Sequence, residues 1–303
     1  MTRVFIDGAA GTTGLEIESR LIGRTEFELM KLDDAARKNA EARRDALNAA
    51  DVVILCLPDD AAREAVSLID NKHTRVIDAS TAFRTVDGWT YGLPELGYDV
   101  AGAMRVSNPG CYPTGFLALL APLVRAGLVP KDWPITVNAV SGYSGGGKAM
   151  IAEFQNGKAD TNWRTYGLNL AHKHIPEMHR YSGLRHAPVF APSVANAYRG
   201  MIVEVPLNLD AMSNAPSVDA IREALSATFD GSKIVTLPAP PAILTVEHAA
   251  NTDRLDLFVF GNQDDTQVRL IAALDNLGKG ASGAAVQSLN LMVGLPETTG
   301  LQL

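Results

Sequence analysis

Arg3-Val4-Phe5-Ile6-Asp7-Gly8-Ala9-Ala10-Gly11-Thr12-Thr13-Gly14 carries a short apolar strand straight into three glycines at three-residue spacing. Behind it, Leu15, Ile17, Leu21 and Ile22 can share one helix face. Strand, glycine loop and helix in that order form a phosphate cradle. The glycines let backbone approach a pyrophosphate, and the helix N-terminus turns its positive dipole end toward the charge. The spacing Gly-x-x-Gly-x-x-Gly departs from the usual Gly-x-Gly-x-x-Gly dinucleotide fingerprint. Glycine-rich turns are common, so position between a strand and a helix carries the reading. Gly8, Ala10, Gly11, Thr12, Thr13 and Gly14 are the expected cofactor contacts.

Reading outward, residues 26–32 form a second expected strand, followed by Asp33-Asp34 and the basic pair Arg37-Lys38. A carboxylate at the end of this strand usually takes the ribose 2′-hydroxyl of NAD, whereas nearby basic residues suit the 2′-phosphate of NADP. Both signals are present, and each could equally be a solvated helix start. Residues 52–57 are a continuous apolar run of the buried parallel type and supply the third strand, with residues 76–78 the fourth. A helical stretch at 59–70 lies between them, with Ala62, Val66 and Ile69 apolar. The alternation implies right-handed crossovers and a doubly wound sheet. Asp78-Ala79-Ser80-Thr81-Ala82-Phe83-Arg84 leaves the fourth strand at its C-terminal end, the edge where such sheets bind ligands. Residues 89–100 read as loop and 103–106 as a further short strand.

That strand reaches Ser107-Asn108-Pro109-Gly110-Cys111-Tyr112-Pro113-Thr114-Gly115, and an apolar run at helical spacing follows (Phe116, Leu117, Leu119, Leu120, Leu123). Cys111 therefore falls at or just before a helix N-terminus, where unpaired N–H groups and the dipole favour a thiolate. A free thiol, with a pKa near ~8.5, is only slightly ionised at neutral pH, so such help is what a nucleophilic cysteine needs. The same N–H groups could hold a developing oxyanion. Taken alone, the residue could as well be a buried cysteine in a loop.

Past the cysteine the pattern changes. Residues 134–140 alternate like a strand and open onto Ser141-Gly142-Tyr143-Ser144-Gly145-Gly146-Gly147-Lys148. Residues 166–178 carry His172 and His174. Residues 189–191, 198–206, 243–248 and 254–260 read as strands of a second, larger sheet, with a helix at 218–228 between them. Residues 281–293 follow Gly278-Lys279-Gly280 and are expected to return to the N-terminal domain. The boundaries expected are residues 1–110 for a nucleotide-binding domain completed by 281–303, and 111–280 for a catalytic and oligomerisation domain.

With 303 residues, 47% hydrophobic and 20% charged, the composition is that of a globular chain large enough for two cores. A net charge of -7 argues against nucleic acid as the main partner. Cys56 and Cys111 are the only cysteines, too few for a disulfide framework. Cys56 sits in an apolar run and reads as core. No secretory leader is visible and no apolar stretch reaches membrane-spanning length, which points to a cytoplasmic protein. No metal site is expected.

The segments Gly8–Gly14, Asp78–Arg84, Ser107–Gly115, Ser141–Lys148, Tyr166–Glu177 and Gly278–Gly294, taken in that order over the whole chain, resemble the N-acetyl-γ-glutamyl-phosphate reductase family in its shorter form. Aspartate-semialdehyde dehydrogenase belongs to the same wider group. The resemblance implies an α/β fold, with an N-terminal Rossmann-type parallel sheet plus a second α+β domain with a mixed or antiparallel sheet. It implies NADPH-dependent reduction of an acyl phosphate to an aldehyde in arginine biosynthesis, through a thioester on Cys111. His172 would be the acid/base residue, because the family has a tyrosine six residues before that histidine and a glutamate five after it, as Tyr166 and Glu177 stand here. Glu177 would then orient the imidazole.

Arg84 and Lys148 are the expected charged phosphate contacts, with Asn108, Ser141, Ser144 and Tyr166 as further substrate contacts. Arg37, Ser80 and Asn290 would touch NADP(H), and a homo-oligomer, dimer or tetramer, is implied. His73, His179, His186 and His248 sit in no motif and read as structural or surface residues. The competing readings are another acyl-phosphate reductase of the aspartate-semialdehyde type and, more distantly, a non-catalytic dinucleotide sensor. A sensor would have no use for Cys111 and the histidine segment together.

Overall fold

A computed structural model describes residues 1–33 and 35–303; Asp34 and the side chain of Lys38, both named above, lie outside the described residues. The chain divides into two compact units. One is Met1–Pro109 with Ala281–Leu301, the other Gly110–Gly280 with Gln302–Leu303.

The first unit runs β1 (Thr2–Asp7), α1 (Thr12–Leu21), β2 (Phe27–Met30), α2 (Ala40–Ala49), β3 (Val52–Leu55), α3 (Asp59–Ser67), β4 (Arg75–Asp78), β5 (Thr90–Tyr91) and β6 (Arg105–Ser107). Among the described residues these six strands pair in parallel throughout, in the order β2-β1-β3-β4-β6-β5. Successive strand residues point to opposite faces, and both faces are covered. Val4, Ile6, Ile54 and Ile77 pack on one side with Ile17 and Leu21 of α1. Phe5, Val53, Leu55 and Val76 pack on the other with Leu47 of α2 and Ala62 and Ala65 of α3. That is why β3 reads as an unbroken apolar run.

The α1 face differs from the expected one. Gly14, Ile17 and Leu21 are its buried residues, while Leu15 is 50% and Ile22 62% exposed. A helix turns by about 100° per residue, so the neighbours of Gly14 and Leu21 rotate off the core. β3 also ends before Cys56, which is half-buried at the edge of the core.

The second unit comprises α4 (Cys111–Arg125), β7 (Thr136–Gly142), α5 (Gly147–Gln155), β8 (Trp163–Thr165), α6 (Ile175–Ser182), β9 (Val189–Ala195), β10 (Met201–Asn208), α7 (Val218–Thr228), β11 (Val235–Thr236), β12 (Leu255–Gly261) and β13 (Gln267–Leu274). Its strands form a mixed sheet in the order β11-β12-β13-β10-β7-β9-β8, with β7/β9 and β11/β12 parallel and the other pairs antiparallel. Every residue of α4 from Tyr112 to Val124 is buried. A helix apolar all round belongs inside a core, and α4 lies on β10 and β13 with α6 and α7 beside it.

One expected strand fails here. Residues 243–248 form no strand: Ile243 is 82% exposed, and the chain folds into turns through His248 N–H to Thr245 O and Ala250 N–H to Glu247 O. Pro238, Pro240 and Pro241 just upstream lack the N–H groups a ladder needs. The unexpected strands are β8, β11 and β13, the last pairing with both β10 and β12 along its length, and β5 likewise lies within residues 89–100, expected as loop.

The chain then makes one wide helical turn, Gly278–Ser282, and ends in α8 (Gly283–Met292). Ala285, Val286, Leu289 and Met292 of α8 join Val4, Ile6 and Ile17 in the core of the first unit. Among the described residues no helix is long and apolar enough to cross a membrane.

Candidate active site

In the first unit, the loop from Gly8 to Gly14 closes so tightly that Gly8 and Gly14 admit no side chain. A Cβ on Gly8, which sits at φ +90°, would stand 2.3 Å from Cys56 O, and one on Gly14 would stand 2.6 Å from Gly8 O. Gly11 caps α1 without a side-chain hydrogen bond, so first-turn N–H groups keep the capacity to bind an anion. A backbone-walled cradle ahead of a helix fits the pyrophosphate of a dinucleotide.

Beside it a pocket is lined by Asp7, Gly8, Met30, Leu32 and Arg37. Asp33 Oδ1 accepts the N–H groups of Ala35 (3.0 Å) and Ala36 (2.7 Å). Its carboxylate thus caps its own turn; Asp7, Glu18 and Lys31 line the pocket with Arg37, whose Nε donates to Leu32 O at 3.0 Å.

At the C-terminal edge of β4, Ser80 Oγ donates to Asp78 Oδ2 (2.7 Å) and accepts the Ala82 N–H (3.1 Å). Asp78 is wholly buried, and burial pushes its carboxyl up to about 6 against the opposing Ser80 hydrogen bonds. Arg84 is buried too. Its Nε donates to Asn108 O (3.0 Å) and an Nη donates to Ala79 O (3.4 Å). Asn108 Nδ2 donates to Ala281 O (3.0 Å). Arg84 and Asn108 are thus bound to each other at this edge.

In the second unit, Cys111 is the first residue of α4, half-buried, with Gly110 as an extended N-cap that brings no side-chain cap. The Gly110 N–H donates to Glu177 Oε2 at 3.1 Å. The carboxylate therefore ties down the residue ahead of the cysteine, from the first turn of α6. Tyr166 O–H donates to the Tyr112 hydroxyl (2.9 Å), which donates to Ser193 O (3.3 Å) with the Ser141 hydroxyl alongside. Burial, and the charge that Cys111 would carry, raise both phenols, Tyr166 to about 12. They remain protonated donors at neutral pH.

His172 sits in an aromatic cage, its ring centroid 5.1 Å from Phe190, 5.7 Å from Tyr166 and 6.2 Å from Tyr112. Burial there, and then the charge of Lys173, lower its pKa to about 4. Its Nδ1 accepts the N–H of His174 (3.2 Å), which assigns the ring proton to Nε2. His174 is 6% exposed, and its ring lies 4.8 Å from that of His172. The carboxylate expected to orient the imidazole accepts the Gly110 N–H, and main chain engages Nδ1.

Ser141 Oγ donates to Gly142 O (3.0 Å), and Ser144 Oγ accepts Asn276 Nδ2 (2.8 Å); both side chains are buried. Lys148 is exposed on the first turn of α5. Cys111, Tyr112, Ser141, Tyr166, His172 and Glu177 are drawn together in this unit, whereas Lys148 stays at its surface. His248 pairs with Asp256 (3.0 Å), and His179 bonds the Arg185 carbonyl.

Residues 3–104 match the family described as "Semialdehyde dehydrogenase, NAD binding domain", and residues 111–276 match "Semialdehyde dehydrogenase, dimerisation domain". The chain is 48% identical to "N-acetyl-gamma-glutamyl-phosphate reductase 2" of Nostoc sp., with 99% of each chain covered. It is 49% identical to the N-acetyl-gamma-glutamyl-phosphate reductase of Rhizobium etli, over 96% of this chain and 98% of that one. The chain belongs to the N-acetyl-γ-glutamyl-phosphate reductase family.

The fold is that of solved aspartate semialdehyde dehydrogenases. The enzyme of Francisella tularensis has a TM-score of 0.71 at 14% identity, covering 97% of this chain and 100% of that one. A structure "with NADP" from Candida albicans has a TM-score of 0.66 at 14% identity, with coverage of 97% and 98%.

For this family member, Asn290 needs correcting as a cofactor contact. It is fully buried; Oδ1 accepts from Arg24 Nη1 (3.0 Å), and Nδ2 donates to the carbonyls of Glu297 (3.0 Å) and Thr299 (2.8 Å). Its amide anchors the C-terminal segment. Asn290→Ala should lower unfolding free energy by ~1–3 kcal/mol, the cost of buried groups left unpaired, without changing NADPH affinity. Urea melts and fluorescence titration read the two; weaker cofactor binding at unchanged stability would restore the contact.

Tyr112, Phe190 and Asp78 were not anticipated as parts of either site. Tyr112 adjoins the cysteine in sequence, but its partners lie on β8, β9 and the strands beside them, which no local pattern reveals. Arg37→Ala should lower kcat/KM for NADPH by ~10–100-fold, the worth of a charge-assisted hydrogen bond, and leave NADH unaffected. Equal losses with both cofactors would remove Arg37 from the 2′-phosphate.

Proposed function

We propose that the chain reduces N-acetyl-γ-glutamyl phosphate to N-acetylglutamate 5-semialdehyde with NADPH and releases inorganic phosphate, through a thioester on Cys111. The observation that carries the reading is a cysteine at the first position of α4, beside two protonated phenols and a neutral histidine, in a chain of this family. Two cysteines outside any disulfide suit a reducing compartment, and we place the protein in the cytoplasm.

The N-terminus of α4 favours anionic sulfur at Cys111. Attack of Sγ on the acyl carbon forms the C–S bond, and the C–O bond to phosphate breaks with its electron pair on the phosphate. Acylation on sulfur divides one difficult step into two easier ones. NADPH, when bound, supplies the hydride that turns the thioester into a thiohemiacetal. Gly8, Ala10, Gly11, Thr12, Thr13 and Gly14 would hold its pyrophosphate, Arg37 its 2′-phosphate, and Ser80 would add a hydroxyl contact. Collapse breaks the C–S bond, returns the pair to Sγ and frees the aldehyde.

His172, neutral and with its proton on Nε2, offers a donor to the reacting oxygen; a neutral imidazole serves this purpose where burial keeps it unprotonated. Tyr166 is a second donor. Glu177 fixes Gly110 and so the turn that presents the cysteine. For phosphate, the first unit offers the Arg84 guanidinium with the Asn108 amide, and the second unit offers Lys148 with the Ser141 and Ser144 hydroxyls.

The test is oxidation of N-acetylglutamate 5-semialdehyde with NADP, read as NADPH appearance, with and without phosphate. A phosphate-dependent rate well above that with aspartate semialdehyde is the expected result. A higher rate with aspartate semialdehyde, or no dependence on phosphate, would overturn the assignment.

We further propose that copies of the chain associate through the sheet of the second unit. α4 and α7 pack on one face, whereas Thr136, Asn138, Pro206 and Arg269 are exposed in its strands, and the matching family description is of a dimerisation domain. Light scattering should give a dimer or tetramer; a monomer at assay concentration would refute it.

A further inference from the structure

Asp275, just after β13, is wholly buried and takes no part in the site as described so far. Its Oδ1 accepts the N–H groups of Leu277 (2.8 Å) and Gly278 (3.2 Å). Its Oδ2 accepts Arg199 Nε (2.8 Å) and the Asn251 N–H (2.6 Å). Its main-chain carbonyl accepts the Gly280 N–H at 2.9 Å. Burying a carboxylate costs less where donors replace water, and here a guanidinium and three backbone N–H groups surround it.

The segment these bonds hold touches the cysteine. A Cβ on Gly280 would lie 2.8 Å from Cys111 Cβ and 2.9 Å from Asp275 O, closer than real Cβ atoms approach. Gly278 is equally confined, with its Cβ position 2.1 Å from Thr252 O. The next residue extends the tie: Asn276 Oδ1 accepts the Gly200 N–H (3.0 Å), and its Nδ2 donates to Ser144 Oγ (2.8 Å). Asp275 and Asn276 together join the glycine turn, the approach to β10 and the loop after β7.

We propose that Asp275 is a positioning residue for the nucleophile. By holding the backbone of Gly278-Lys279-Gly280 against Cys111 Cβ, it walls off one side of the cysteine and restricts its sulfur to rotamers directed away from that wall. The inference rests on the reading of Cys111 as nucleophile. A cysteine has one side-chain torsion with three staggered wells, and a backbone packed on Cβ removes wells that would point Sγ away from an acyl carbon. A loss of alignment of ~1 Å can cost about 10²-fold in rate.

Asp275→Asn in the full chain sets an NH₂ against one of these donors and removes the carboxylate charge facing Arg199 Nε. It should lower kcat by ~10–100-fold with KM for the acyl phosphate little changed. Iodoacetamide should still alkylate Cys111 at least as fast as in the wild type, because the sulfur stays reactive and only its direction is lost. Cys56 should stay unlabelled, since its labelling reports general opening. Gly280→Ala, which keeps the Asp275 carboxylate and its donors but presses a methyl on Cys111 Cβ and on the Asp275 carbonyl, should lower both kcat and Cys111 alkylation.

Wild-type kcat in Asp275→Asn would overturn the proposal, as would parallel loss of turnover and alkylation in that variant. If that chain does not fold, wild-type kcat in Gly280→Ala overturns it, and loss of both its rates supports it. Turnover by Cys111→Ser would instead defeat the underlying reading, independently of these results.

Discussion

Cys111→Ser is expected to lower kcat by ~10³–10⁶-fold, the range seen when a covalent nucleophile is removed, while NADPH binds as in the wild type. A serine hydroxyl in the same place ionises far less readily than a thiol, and an ester leaves less readily than a thioester. The cradle from Gly8 to Gly14 lies in the other unit and is unaltered by the change. The chain's second thiol is the internal control. Cys56 is half-buried, and burial, then the charges of Asp78 and Asp7, push its thiol up to about 12. At neutral pH it has almost no thiolate, so alkylation should inactivate at Cys111 first, with acyl phosphate protecting. Substantial turnover by Cys111→Ser, or labelling of Cys56 ahead of Cys111, would end the covalent mechanism.

The second large effect belongs to His172. His172→Asn should lower kcat by ~10²–10⁴-fold, the usual contribution of a general acid–base group, with a smaller change in KM. The pH dependence has a definite sign. A histidine whose pKa falls to about 4 in the native state stays neutral between pH 4 and its ordinary value near ~6.5, where the unfolded chain already binds a proton. Its contribution to stability is therefore complete above the ordinary value and is lost as pH falls through that window. The wild-type rate should likewise show no inflection near pH 6.5, and any limb due to His172 should fall near pH 4. His174, buried at the N-terminus of α6 with its N–H on His172 Nδ1, has a supporting place in this arrangement. If His174→Asn shows the larger kcat loss and His172→Asn is mild, the two roles exchange.

Several features were legible before any coordinates. The crossovers of the first unit follow from apolar runs alternating with helical periods, because a parallel strand buried on both faces has to be apolar throughout, as Val52-Val53-Ile54-Leu55 is. The helix beginning at Cys111 follows from the Pro-Gly turn ahead of an apolar run, and α7 matches its expected limits because Ser217 is a recognisable N-cap, accepting the Ala220 N–H. Residues 243–248 misled because alternation reports what a strand could bury and not whether a neighbouring strand exists.

What the sequence by itself determined, then, is what depends on near neighbours in the chain: the glycine cradle, the strand and helix periods, and a cysteine at a helix start. The partners were decided only by tertiary structure. Glu177 reaches Gly110 from 67 residues away, Tyr166 reaches Tyr112 from 54, and the Asp275 carboxylate gathers Arg199 from 76. The same holds for Asn290, which reads like a ligand contact in its motif and proves to anchor the last turn of the chain. A hydrogen bond is satisfied by whichever donor folding delivers within about 3 Å. The strand and helix packing within each unit makes that delivery, and residue identity alone does not encode it.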